Sequence, residues 1–169
     1  MKILLDGLLP RVFPGLAFLC VSHEGKQDLE KSIVRKLKAW REPGVRFVIV
    51  CDNDGGDCRL TKQQLSRLCE EAERPDSIVQ IVCQELEAWY FGSPTALAQA
   101  FEREDLTTIG AKARFRDPDR IQQPSKALAE LIPEFQKVGG ARRMAKHLTK
   151  DNRSGSFRIL LSGIGRIIG

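Results

Sequence analysis

Long apolar runs are missing from this 169-residue chain, and no stretch approaches the roughly 20 residues that a bilayer-spanning helix requires. The start also lacks a basic segment, apolar core and cleavage site in succession, which predicts a cytoplasmic protein with no membrane association. Paired cysteine motifs are absent as well. Cys20, Cys51, Cys58, Cys69 and Cys83 are scattered, with no Cys-x-x-Cys spacing and no adjacent histidine. An odd count without a leader predicts reduced thiols rather than a disulfide framework or a zinc site. The Gly-x-x-x-x-Gly-Lys-Ser/Thr spacing does not occur, which argues against ATP binding of the P-loop kind. Neither internal repeats nor low-complexity segments are found, and the length suits one core rather than two.

What the chain does have is an apolar, β-branched run that stops abruptly. Val45-Arg46-Phe47-Val48-Ile49-Val50-Cys51 leads into Asp52-Asn53-Asp54-Gly55-Gly56-Asp57. The run reads as a strand buried on both faces, as inside a parallel sheet. Ligands of open α/β sheets bind beyond the carboxyl ends of the strands, where these carboxylates fall. In extended backbone Asp52 and Asp54 point to the same side, and two like charges side by side call for a cation. Mg²⁺ takes oxygen ligands of this kind. Asp57 reads instead as the cap of the following helix.

Strands and helices alternate through the first half. An apolar-faced helix over Ile3–Leu9 ends at Pro10, and Leu16–Val21 reads as a strand. A helix from Asp28 to about Trp40 follows, then the acidic-tipped strand, a helix over Thr61–Ala72 and a strand over Ser77–Cys83. The alternation predicts βαβ units and a parallel sheet. The opening helix would ordinarily follow a strand, so a first strand is expected to be missing. Beyond Trp89 the character changes. Pro94–Phe101 is helical, Ala113–Pro124 a charged loop, and short helices are expected at Ser125–Leu131, Gly140–Leu148 and Ser154–Ile168.

Charge is unevenly spread. From Lys137 to the end, eight Lys and Arg face Asp151 alone within a chain of net charge +5. A basic end joined to an acidic loop suggests a polyanionic partner handled through a metal, although a solvated basic face gives the same pattern. Glu85 and Glu87 close the strand after the acidic one and read as a further ligand or a general base; a helix first turn also favours glutamates there. His23 and Lys26, at another strand end, are a candidate base and phosphate-neutralising cation, with a structural turn as the alternative. Lys112, Arg114 and Arg116 flank Phe115 in a loop that reads as a contact to a phosphate backbone or a stacked base, with a solvated loop of local ion pairs as the alternative. Lys137, Arg142, Arg143 and Arg153 surround Gly139-Gly140, where backbone N–H groups at a helix start would meet an anion, with a flexible turn between helices as the alternative.

Several of these segments together resemble an uncharacterised bacterial family, domain of unknown function 4276. They are Asp52-Asn53-Asp54 with Cys58, Glu85-Leu86-Glu87-Ala88-Trp89, Lys112 through Asp119, Lys137-Val138-Gly139-Gly140-Ala141 and Asn152-Arg153-Ser154-Gly155-Ser156-Phe157. The resemblance implies a topoisomerase–primase (TOPRIM)-like domain similar to that of OLD-type nucleases. The expected fold is an α/β parallel sheet of Rossmann type with helices on both faces over residues 1–92. A basic helical extension over residues 93–169 would pack on it. It further implies Mg²⁺ or Mn²⁺ held by Asp52, Asp54 and an acidic partner. The glutamate that TOPRIM domains carry after their first strand has no counterpart here. The expected function is metal-dependent phosphodiester cleavage or transfer on DNA or RNA, in defence or repair, with an AAA-type ATPase as a possible partner and a homodimer as a possible assembly. The alternative is a catalytically incomplete subunit that binds nucleic acid or the ATPase. A nucleotide-sensing regulator on a receiver-like fold fits the basic end poorly.

Overall fold

The fold is described from a computed structural model, in which residues 1–53 and 55–169 are placed; the Asp54 half of the acidic pair lies outside the described residues. The first helix, α1 (Lys2–Val12), runs on through Pro10. The ring removes one backbone bond, but Leu4, Leu5, Leu8, Leu9 and the following Phe13 are buried and hold the last turn in place. Next come α2 (Lys26–Ala39), β1 (Val48–Asp52), α3 (Cys58–Glu71) and β2 (Ile78–Val82). The strands pair in parallel, Val48 opposite Ile78 and Asp52 opposite Val82, with α3 as the crossover. Helix α3 starts three residues before its expected position because the Asp57 carboxylate accepts the Arg59 and Leu60 N–H groups at 2.7 and 3.1 Å.

Two apolar clusters cover the two faces of this small sheet. Ile49, Cys51, Val79 and Ile81 pack with Leu29, Ile33 and Leu37 of α2 and Leu65 and Cys69 of α3. Val48, Val50 and Val82 point the other way, into a larger cluster. That cluster gathers α1 with α4 (Ala88–Phe91), α5 (Pro94–Phe101), α6 (Pro124–Leu131), α7 (Lys137–His147) and α8 (Gly155–Ile168). Helix α1 lies on α7 and α8 lies on β2, so the larger core draws on both sides of residue 92. The result is an α/β fold with a two-stranded parallel sheet among the described residues and helices on both of its faces. Among the described residues, no helix is long and apolar enough to cross a membrane.

Two local expectations change. Residues 16–23 run without a ladder partner among the described residues. Leu16 and Cys20 rest against the core while Phe18, Leu19 and Val21 stay exposed. Strand-type residues do not make a strand unless a neighbour takes their N–H and C=O groups. Gly139 and Gly140, expected at a helix start, lie inside the first turns of α7. The Gly140 N–H donates to the Gln136 carbonyl at 2.6 Å, and a Cβ at Gly140 would collide with the Phe135 ring. Gly140 serves close packing, while a Cβ at Gly139 would meet no close neighbour.

The chain end is fastened to the buried α4 by Asn152, whose Nδ2 donates to the Trp89 carbonyl at 2.9 Å and whose Oδ1 accepts the Ser154 N–H at 2.8 Å. Asn152→Ala strands two buried backbone groups at once and is expected to lower unfolding free energy by about 2–4 kcal/mol in urea titration. A change below about 0.5 kcal/mol would show that this joint carries no weight.

Candidate functional site

The carboxyl ends of β1 and β2 form a rim stitched by Asn53. Its Oδ1 accepts the Gln84 N–H at 2.6 Å, and its Nδ2 donates to the Gly56 carbonyl at 2.7 Å and to Cys58 Sγ at 3.0 Å. Gln84 is held in the left-handed region at φ 67° by the turn it closes. Asp52, half-buried at the last position of β1, shares a face with Val48 and Val50 and so looks toward the larger core. On that side stands α4, entered through Cys83-Gln84-Glu85-Leu86-Glu87.

Glu87 and Tyr90 are buried there, three apart across one helical turn. The Tyr90 hydroxyl has no hydrogen-bond partner among the described residues. Burial, then the charges of Glu87 and Asp52, push its ionisation far above the ordinary tyrosine value. Asp52 and Glu87 therefore both lie within electrostatic reach of one buried phenol, which brings together a candidate at the end of β1 and one at the start of α4. Burial also raises the Glu87 carboxyl above its ordinary range, with Lys137 opposing and Glu85 reinforcing the shift. Glu85 behaves oppositely. Burial disfavours its charge, but the Ser125 N–H at 2.8 Å, the Ser125 hydroxyl at 2.8–2.9 Å and Lys137 Nζ at 3.6 Å outweigh it and hold the carboxyl below its ordinary range. Glu85 thus anchors the start of α6, while Glu87 is the carboxylate under strain.

The other candidates divide. His23 Nδ1 sits 3.0 Å from Asp28 Oδ2 and 3.1 Å from Ser32 Oγ, tying down the entry to α2. Lys26 Nζ donates to Thr61 Oγ1 at 3.2 Å and bridges α2 to α3. Arg153 was read as a phosphate contact, but its guanidinium donates to the Gly110 and Phe91 carbonyls at 3.2 and 3.1 Å, fixing loops. Arg114 pairs with Glu130 at 2.8 Å, and Arg143 lies over the Phe101 ring at 5.6 Å. Lys112, Arg116, Lys137 and Arg142 are exposed.

An open cleft of about 630 Å³ borders the rim, lined by Arg116, Arg120, Arg153, Arg158, Asp119 and Cys83. Arg120 and Arg158 were not singled out from sequence, since they sit 38 residues apart and meet only through the fold. Tyr90 and Ser125 were missed likewise. Spacing could have flagged Tyr90, three residues after Glu87 on a helix; nothing local could have flagged Ser125. Asp119 accepts from the Ser154 hydroxyl at 2.6 Å and the Ser156 N–H at 3.0 Å, so the start of α8 is already capped from within. Among the described residues, no group of three or more His, Cys, Asp or Glu side chains is arranged to hold a metal ion.

An α/β fold with an acidic rim and a neighbouring arginine cleft is the class of protein these features define. The family model "Domain of unknown function (DUF4276)" matches residues 2–164, and the chain belongs to that family. No curated protein and no solved structure matches it.

The shift at Glu87 has a thermodynamic sign. Its carboxyl binds a proton more tightly in the folded than in the unfolded chain, so its contribution is fully present below the ordinary value of 4.5 and is lost as pH rises through the raised one. Glu87→Gln is therefore expected to melt higher than the parent at neutral pH and to flatten the melting profile between about pH 4 and 8. Thermal melts across that range test it, and a lower melting temperature at neutral pH would contradict the assignment.

Proposed function

We propose that the rim is a divalent-cation site for phosphodiester cleavage or transfer on nucleic acid. The observation that carries this reading is the buried, unpartnered Tyr90 hydroxyl set between the charges of Asp52 and Glu87. In a packed fold such a group is ordinarily completed from outside the chain, by an ordered water or by a ligand. Hard oxygen donors on a sheet rim fit Mg²⁺ or Mn²⁺. Asp52 and, from its place in the sequence, Asp54 would hold the cation. When bound, it would polarise the phosphate and neutralise developing charge.

The protein's own groups supply the rest. Glu85 and Glu87 have environments that push their protonation apart, the pattern expected where one carboxyl works as acid or base and the other stays ionised. Glu87 is assigned as the group that exchanges a proton with the attacking water. Glu85 holds α6 and Lys137 in position. Arg116, Arg120 and Arg158 in the cleft, with Lys112 and Arg142 outside it, would grip phosphates flanking the one that reacts. A TOPRIM-like domain of a nuclease acting in defence or repair is consistent with this arrangement. A second reading is a non-catalytic subunit that binds nucleic acid or an AAA-type ATPase, for which the exposed Lys112, Arg116, Lys137 and Arg142 would serve without a metal.

Calorimetry with Mg²⁺ and Mn²⁺, followed by incubation with plasmid and RNA, separates the two. The first reading expects binding weakened at least about tenfold in Asp52→Asn, and cleavage lost in both Asp52→Asn and Glu87→Gln. Unchanged metal affinity in Asp52→Asn overturns the site. Salt-sensitive binding without cleavage supports the second reading.

A further inference from the structure

The rim also carries two thiols that the proposed chemistry does not use. Cys58 opens α3 and Cys83 directly follows β2, and their sulfurs lie 3.8 Å apart, in van der Waals contact. Both are partly exposed, whereas Cys51 and Cys69 are buried. Cys83 lines the open arginine cleft, which gives a small solute a route to the pair. Asn53 fixes the arrangement, because the side chain that donates to Cys58 Sγ also accepts the N–H of Gln84, the residue after Cys83. Each cysteine stands at the end of an element, where side-chain rotation can close the gap to the bonded distance of about 2.05 Å.

We propose that Cys58 and Cys83 form a reversible oxidation site that takes a hydroperoxide as oxidant and closes a disulfide across the rim. One sulfur attacks the peroxide oxygen, the O–O bond breaks, and a sulfenic acid and one water result for hydrogen peroxide. The other sulfur then attacks the sulfenyl sulfur. The S–S bond forms, the S–O bond breaks, and the hydroxyl leaves with the second thiol proton as another water. Two thiols are oxidised by two electrons and one peroxide is reduced to two waters, so nothing else is needed. The bridge ties the turn after β1 to the end of β2, and Asn53, bonded to both sides, is drawn tighter. This holds whether or not the rim binds a cation.

The test uses the full chain and hydrogen peroxide at one equivalent. Two of its five thiols are expected to disappear together, with a mass loss of about 2 Da and a linked peptide joining Cys58 to Cys83, all reversed by dithiothreitol. Amide exchange at Asn53, Gly56 and Gln84 is expected to slow roughly three- to tenfold in the oxidised form. Burial pushes the Cys83 thiol well up, so Cys58 is the sulfur that meets the peroxide. Cys20→Ser should bridge like the parent, while Cys83→Ser should yield a Cys58 sulfenic acid that dimedone traps. A bridge to Cys51 or Cys69, a disulfide between two chains, or unlinked sulfinic acids at both positions would overturn the proposal. Unchanged amide exchange in a correctly bridged chain would overturn the tightening of the rim.

Discussion

A four-residue helix buried on every side imposes the strictest demand in this molecule. Ala88, Trp89, Tyr90 and Phe91 expose nothing to solvent, so each of their carbonyls must find a donor inside the protein. Gly92 and Ser93 N–H groups answer Ala88 and Tyr90 from the next turn. Asn152 answers Trp89, and the Arg153 guanidinium answers Phe91. The Arg153 N–H takes the Gly92 carbonyl at 2.8 Å, and the Trp89 indole donates to Ser156 at 2.9 Å. Donors from more than 60 residues away therefore complete a single turn. Gly92 is required there because a Cβ would occupy the place of the Asn152 side chain. Everything at the rim hangs on this turn, since Glu87 leads into it and Tyr90 belongs to it.

The same constraint explains what could be read from the chain. β1, β2 and α5 follow from local pattern: β-branched runs bounded by turn residues, and a proline-led helix whose core face repeats at helical spacing. Local pattern cannot see partners, and the departures occur where partners decide. Leu16–Val21 has strand composition and no ladder among the described residues, and Gly139-Gly140 resembles an anion loop but lies within α7, with Gly140 packed against Phe135. At the rim, position was legible in part: Asp52 ends a strand, while Glu85 and Glu87 lie past the end of its neighbour, on the way into α4. Their division of labour was not. It depends on Ser125 reaching Glu85 from 40 residues away and on the depth at which Glu87 is buried.

That division is a matter of unequal solvation. Two glutamates separated by one residue would titrate alike in water. Here one gains three charge-favouring partners and the other is wrapped in apolar side chains. The difference arises because Glu85 meets Ser125 at the start of α6 while Glu87, at the entry to α4, is buried. Two carboxyls with opposite protonation tendencies are thus produced by placement in the fold rather than by residue type.

Several arginines here are internal fasteners. Arg153 holds carbonyls of two loops, Arg11 holds those of Ala145 and Leu148 at 2.7 and 3.0 Å, and Arg103 reaches the Leu131 carbonyl at 3.2 Å. These cations count toward the net charge of +5 but are not at liberty to reorient onto an external phosphate. For any polyanion, the counterions released on association reflect only the side chains that can follow its contour. The dependence of binding on ionic strength would therefore be shallower than the basic content implies, because part of that basicity is already engaged in holding the chain together.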